Sequence, residues 1–317
     1  MVRREKFKPS YLLIGKKEME ERIEKLYKIL EKCELCPRKC HVNRLKGEKG
    51  VCLSGEKLKV SSYFPHFGEE DVLVGTHGSG TIFLSNCNLK CIYCQNYEIS
   101  HLGEGEEYSE EEVAEMMLYL QKRGCHNINL VTPTHFAPQL VKAIGIAGKK
   151  GLEIPIVWNC GGYENVEVIK LLEGIVDIYM PDIKYGSNEG AKKYSNPPVA
   201  DYWDRCREAV KEMHRQVGDL KIDERGLAYR GLLIRHLVLP RNIAESEAVL
   251  NFIAKEISPN SYVNIMSQYY PAGEVILNPN KYPELRESIR EDYLKAIKLA
   301  IKLGLTRGLE ERQLRRI

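Results

Sequence analysis

The chain has 317 residues, 43% of them hydrophobic, and its 47 Lys and Arg against 44 Asp and Glu leave a formal charge of +3. This length supports one large core, or a core with a small appendage, and a balance so near neutral lacks the basic footprint of a dedicated nucleic-acid binder. No run reaches the roughly 18 apolar residues a membrane span needs, and residues 1–6 lead into polar sequence without a signal-peptide core, so the expectation is a cytoplasmic protein with no membrane attachment.

In chain order, an N-terminal helix is predicted near 17–32, followed by a cysteine-rich segment at 33–52 and short strands near 58–63 and 71–75. Apolar strand runs then alternate with amphipathic helices. The strands fall at 81–85, 128–131, 154–158, 175–180, 232–239 and 262–266. The first helix between them opens at Ser109, with Glu112 three residues on as a capping box, and ends near Gly124. Others are predicted near 137–150, 165–173, 199–217 and 245–257, and a C-terminal helix near 284–303 ends at Gly304. The basic tail with Arg312, Arg315 and Arg316 reads as a solvated helix end.

Near-continuous apolar strands alternating with helices imply a parallel sheet with helices outside it. About six such units fit an α/β fold of partial (β/α)6 barrel type, with a small N-terminal cysteine-rich metal-binding lobe. The expected division is 1–78 for the lobe, 79–275 for the barrel and 276–317 for a C-terminal helical extension. In a barrel, the chemistry belongs on the loops at the C-terminal ends of the strands.

Ten cysteines in a reducing compartment point to metal ligation where the spacing is tight. Directly after the first barrel strand comes Cys87-x3-Cys91-x2-Cys94. Three thiolates at this spacing wrap one turn of loop around a face of a [4Fe–4S] cluster, each ligating one iron. With no fourth cysteine close by, one iron is left open for substrate or cofactor, the feature that separates catalytic from structural metal sites. A zinc knuckle or three buried structural cysteines is the plainer alternative. A second set, Cys33-x2-Cys36-x3-Cys40-x11-Cys52, supplies four thiolates within twenty residues. Pro37 stiffens its first loop, and Gly47 and Gly50 allow the return to Cys52. By count this is a closed site, for zinc or a fully ligated cluster. A host already handling clusters favours an auxiliary [4Fe–4S] cluster for electron entry, and zinc holding the lobe together remains open.

The first motif, with Tyr93 just before its last cysteine, resembles the signature of the radical S-adenosylmethionine superfamily. Almost the whole chain is similar to uncharacterised relatives of pyruvate formate-lyase activating enzyme. The residues that carry this are Cys-Glu-Leu-Cys-Pro-Arg-Lys-Cys at 33–40, Gly-Glu-Lys-Gly-Val-Cys at 47–52 and Leu-Val-Thr-Pro-Thr-His at 130–135. Asn-Cys-Gly-Gly-Tyr at 159–163, Pro-Asp-Ile-Lys-Tyr at 181–185 and Ile-Arg-His-Leu-Val-Leu-Pro at 234–240 complete them.

The resemblance implies that the open iron chelates S-adenosylmethionine, and that reduction of the cluster releases a 5′-deoxyadenosyl radical. It places Tyr93 near the adenine. Thr132 and Thr134 stand where many members have a Gly-Gly-Glu stretch that meets the cofactor's amino group. Asp182 and Lys184 match an Asp-x-Lys that contacts the cofactor in activating enzymes, though two such side chains could also simply pair. Arg235 matches an arginine near the same ligand, Asn159 stands where activating enzymes carry an acidic residue, and Tyr269 or Tyr270 falls near a histidine of theirs. His135 and Cys160 line the pocket or are structural; Cys125 and Cys206 read as structural.

The implied partners are an electron donor of flavodoxin or ferredoxin type and a partner enzyme whose glycine loses a hydrogen. Radical modification of a peptide, a small metabolite or RNA is the second reading, and a cluster-binding electron carrier without radical chemistry the third. An open three-cysteine site speaks against the third, since carriers ligate all four irons.

Overall fold

The structure is a computed structural model that describes residues 7–309, so the basic tail at Arg312, Arg315 and Arg316 lies outside the described residues. Nine strands form one sheet: β1 (Leu58–His66), β2 (Ser79–Leu84), β3 (Glu106–Tyr108), β4 (Ile128–Val131), β5 (Ile156–Cys160), β6 (Ile178–Pro181), β7 (Lys221–Ile222), β8 (Ala228–Leu237) and β9 (Tyr262–Met266). Six of them, β2, β4, β5, β6, β8 and β9, are parallel neighbours in that order. The expected α/β array of six strand–helix units is therefore present. It is not a closed barrel. Among the described residues β9 pairs only with β8, while β2 is flanked by antiparallel β1, which in turn pairs with β3.

The central strands read as unbroken apolar runs because both faces are covered; β5 and β6 are buried at every residue. Helices Glu110–Lys122 and Ala137–Lys149 pack on the outside, the first opened by the Ser109–Glu112 capping box. The N-terminal helix Lys16–Lys28 joins the same core through Met19 and Leu26.

Residues 71–75 are not a strand. Asp71–Val74 forms a single helical turn in the β1–β2 connection. Leu73, fully buried, packs there with Val157, Ile178, Met180, Leu220 and Leu233. A four-residue apolar run carries no period, so burial inside the barrel floor decided its conformation. β3 and β7 are too short to leave a sequence signal. Residues 283–286 form a separate 3-10 turn, so the C-terminal helix starts at Arg290. Among the described residues no helix is long and apolar enough to cross a membrane.

Candidate active site

The loop after β2 carries the three cysteines. Its ends are held by backbone bonds: Asn86 N–H donates to Ile99 (2.9 Å), Ile92 N–H to Tyr194 (3.0 Å) and Cys94 N–H to Cys91 (3.1 Å). Asn86 and Lys90 adopt left-handed φ angles of 74° and 52°, which winds the loop tightly between its thiols. Cys91 is buried, while Cys87 and Cys94 are half-buried. Ser100 Oγ lies 3.2 Å from Cys94 Sγ and Leu89 N–H 3.4 Å from Cys87 Sγ, so donors stand ready for sulfur that carries negative charge.

All three thiols line one cavity of about 260 Å³ at the C-terminal ends of the parallel strands. The same cavity is lined by Thr132 after β4, Asn159, Cys160 and Gly161 at the end of β5, Asp182 and Lys184 after β6, and Arg235 on β8. These loops converge because of Gly162. A Cβ there would lie 2.5 Å from the Asp182 carbonyl oxygen, and its φ of 79° disfavours side chains as well.

Asp182 is the hub of the polar wall. Its Oδ1 accepts from Arg235 Nε and its Oδ2 from Lys184 Nζ, each at 2.7 Å. Arg235 also donates to Asn159 Oδ1 (2.7 Å) and faces Glu69 (3.4 Å) and Glu70 (3.8 Å). Burial works to raise the Asp182 carboxyl, but Arg235 and Lys184 hold it below its ordinary value. The pairing of Asp182 with Lys184 is thus real, and each carboxylate oxygen already accepts one cationic donor. Spare donors of the two cations remain for a ligand.

The other expected residues are less uniformly placed. Tyr93 lines the cavity while its hydroxyl donates to that of Tyr185 (2.8 Å). Thr132 lines it too, with φ at 60°. Thr134 does not: its buried hydroxyl donates to Glu164 Oε1 (2.6 Å), away from the cavity. His135 faces the second cysteine site, its Nε2 2.8 Å from the Ser85 carbonyl, and burial pushes its pKa down to about 3. Tyr269 packs edge-on against Tyr93 and donates to Leu285 (2.6 Å), whereas Tyr270 is exposed. Cys125 and Cys206 are buried away from both cysteine sites.

Cys33, Cys36, Cys40 and Cys52 surround a separate enclosed space that a water-sized sphere can occupy over about 10 Å³. Arg44, 1% exposed, lies against Cys33 and donates to the carbonyls of Gly55 (3.0 Å) and His135 (2.6 Å), so a buried positive charge sits where thiolates would need one. Gly50 makes the ring of sulfurs possible. A Cβ at this position would lie 2.7 Å from both Cβ and Sγ of Cys40. Gly50→Ala is therefore expected to empty the second site of metal while the first keeps its iron, measured by elemental analysis of anaerobically purified protein; full metal content would remove Gly50 from the argument.

The residues fit metal clusters at both places. Burial pushes Cys91 up to about 12, with Lys184 the largest opposing influence, and raises Cys33, Cys36 and Cys87 as well. Such thiols give up their protons to a metal rather than to water. Among the described residues no three His, Cys, Asp or Glu side chains converge on a point as they would around a single ion.

Sequence reasoning missed Glu69, Glu70, Arg38, Arg44 and Glu164. Their positions depend on segments far apart in the chain, and only Arg38 lay inside a motif already singled out.

The fold and site together are a parallel α/β scaffold that carries a three-cysteine loop at the C-terminal ends of its strands, where a metal cluster would be held. Residues 81–222 match the family model described as the Radical SAM superfamily. The uncharacterised protein MJ0674 of Methanocaldococcus jannaschii is 32% identical over 298 residues, covering 90% of this chain and 79% of the relative. MJ0808 of the same organism is 26% identical over 199 residues, 57% of each chain. Among solved structures, methylornithine synthase (PylB) aligns with a TM-score of 0.45 at 17% identity, over 71% of this chain and 60% of its own. The enzyme anSMEcpe with bound AdoMet and Cp18Cys peptide aligns at 0.42 and 14%, over 69% and 56%. This chain thus spans under two thirds of the length of either solved structure. The chain belongs to the radical S-adenosylmethionine superfamily, whose members are enzymes with a [4Fe–4S] cluster and S-adenosylmethionine as cofactors.

Proposed function

We propose that Cys87, Cys91 and Cys94 hold the catalytic [4Fe–4S] cluster, and that the radical made there takes a hydrogen atom from a glycine of a partner enzyme. When bound, the cluster and S-adenosylmethionine supply a 5′-deoxyadenosyl radical upon one-electron reduction. The observation that carries this reading is the cavity itself, which three thiols and two cations line together.

Lys184 and Arg235 bind the carboxylate of the methionine moiety with the donors that Asp182 leaves spare. Asp182 positions both. Asn159 gives its carbonyl oxygen to Arg235 and keeps its amide N–H₂ for the cofactor. Thr132 offers a hydroxyl, and Tyr93, fixed by Tyr185 and Tyr269, packs near the adenine.

The partner-enzyme reading is supported by the cavity rim. Glu274 N–H donates to the Ile92 carbonyl (2.8 Å), which seats the helix Glu274–Leu277 on the cysteine loop. Ile276, Leu277, Tyr270 and Leu102 are exposed in that neighbourhood, where a protein substrate would cover them. The second site holds an auxiliary [4Fe–4S] cluster. A host that already handles one cluster favours a second for electron entry over a zinc ion that only holds the lobe together. Electrons come from a flavodoxin or ferredoxin type donor in the cytoplasm.

The test uses a glycyl-radical enzyme from the same organism, prepared with α-deuterated glycine. Anaerobic incubation with this protein, S-adenosylmethionine and dithionite should give a glycyl-radical signal and deuterium in 5′-deoxyadenosine. Cleavage of the cofactor without deuterium transfer would return the substrate to a peptide, a small metabolite or RNA. No cleavage at all would leave an electron carrier. Elemental analysis checks the second centre: about eight irons per chain and no zinc are expected.

A further inference from the structure

Arg38 stands between Cys36 and Cys40, yet its hydrogen bonds all leave the four-cysteine set. Its Nε donates to the Asn88 carbonyl (2.9 Å). One terminal nitrogen donates to the carbonyls of Leu89 (3.3 Å) and Pro197 (2.8 Å), the other to that of Pro198 (3.0 Å). Asn88 and Leu89 lie between Cys87 and Cys91. The segment holding the two prolines is tied to the same loop, since Asn196 N–H donates to Lys90 (3.0 Å) and Ile92 N–H to Tyr194 (3.0 Å). Asn88 is fixed again through Nδ2, which donates to the Tyr163 carbonyl (2.8 Å). A planar fork of donors suits this task, because its N–H groups meet several carbonyls at fixed angles.

The Asn88 carbonyl and the Leu89 N–H belong to one trans peptide unit, which points them in opposite directions. Arg38 grips the carbonyl end. At the other end the Leu89 N–H lies 3.4 Å from Cys87 Sγ. A cation on a carbonyl polarises the amide and strengthens its N–H as a donor. A guanidinium keeps its charge throughout the range in which the protein is folded, so this polarisation is permanent.

We infer that Arg38 is a positioning residue for the three-cysteine site: through the Asn88–Leu89 peptide it holds and strengthens a hydrogen bond to the Cys87 sulfur, and so raises the reduction potential of the cluster held there. This rests on the reading of Cys87, Cys91 and Cys94 as cluster ligands, and it holds whichever metal fills the four-cysteine site. A reduced cluster carries one more negative charge than an oxidised one, and hydrogen bonds to its sulfurs favour the more negative form. The reducing electron comes from a one-electron carrier, which is oxidised as the cluster is reduced; no bond forms or breaks and no proton moves. The four-cysteine lobe thus acts on the first site through an arginine, independently of any electron it passes.

The experiment is an EPR-monitored redox titration with dithionite of the full chain, reconstituted anaerobically and isotope-labelled at its leucine nitrogens. The signal that changes on adding S-adenosylmethionine identifies the three-cysteine site. Leu89 is the only leucine between Cys87 and Cys94, so in the unmodified protein that signal should carry a nitrogen coupling from it, read by pulsed EPR. Arg38→Met should weaken the coupling and shift the midpoint potential downward. Arg38→Lys, which leaves a cation at the carbonyls, should recover most of the shift. A merely structural arginine would change the melting temperature and leave midpoint and coupling as they are, which overturns the proposal. A lowered midpoint with unweakened coupling overturns it too, since the charge would then act directly rather than through the peptide. Should Arg38→Met lose its iron, Arg38→Gln, which donates to a carbonyl without charge, takes its place with the same two readings. Absence of the nitrogen coupling in the unmodified protein overturns the relay without any variant. A chain with no signal responsive to S-adenosylmethionine would instead end the catalytic-cluster reading, and this inference with it.

Discussion

A Cys87→Ala, Cys91→Ala, Cys94→Ala triple variant should form no 5′-deoxyadenosine above a protein-free control, and should lose about four of its irons. The three thiols share one loop of the cavity lining; Cys160, the other thiol that lines it, is a single sulfur outside that loop, at the end of β5. It is therefore a poor substitute ligand. The loop itself should survive, because backbone bonds from Asn86 to Ile99 and from Ile92 to Tyr194 fix its ends without using a sulfur. Circular dichroism and melting temperature should accordingly stay near those of the unmodified apoprotein. Liquid chromatography of the reaction products decides the matter, and a product yield equal to that of the unmodified protein would remove these cysteines from catalysis.

The parallel array was legible because its strands are buried on both faces and therefore read as apolar runs between helices; β5 and β6 are the clearest cases. The capping box at Ser109 marked a helix start for a local reason, and it is formed as expected. The segment 71–75 was misread because its apolar side chains answer to the barrel floor rather than to a strand neighbour. At the site, Asp182, Lys184 and Arg235 were singled out, but the direction of their bonding was not. A sequence does not reveal that one carboxylate is shared between two cations. Thr134 stood in a favourable motif, and its hydroxyl is nevertheless spent on Glu164, a buried acid thirty residues away whose carboxyl is pushed up to about 7 by burial. Likewise, nothing local announces that Arg38 will clamp the loop of the other cysteine set.

Asp182→Asn should destabilise the protein more than Lys184→Met does. Asp182, Lys184 and Arg235 have side chains 14%, 18% and 16% exposed, so the triad is largely out of water. An asparagine still accepts one hydrogen bond but cancels no charge, and Lys184 and Arg235 would then face each other with only Glu69 and Glu70 to offset them. Removing one member of a buried pair typically costs about 3–5 kcal/mol. At the lower end, as suits side chains that keep some exposure, the melting temperature should fall by roughly 6–12 °C. Lys184→Met leaves Asp182 paired with Arg235, so its melting temperature should move less. It should instead bind S-adenosylmethionine about tenfold to hundredfold more weakly, the loss expected for one charged hydrogen bond.

The gap between Asp182→Asn and the unmodified chain also has a pH signature. Because the folded Asp182 carboxyl titrates below its unfolded value of about 3.9, its stabilisation is fully present above that pH and is lost as the pH falls through the folded value. The difference in melting temperature should therefore hold at neutral pH and narrow only below about pH 4. Calorimetry across that range, with isothermal titration of the cofactor into each reconstituted variant, separates the two roles. If Asp182→Asn were as stable as the unmodified chain and lost only cofactor affinity, Asp182 would be a direct ligand contact. The ion triad would then not be what holds this wall of the cavity together.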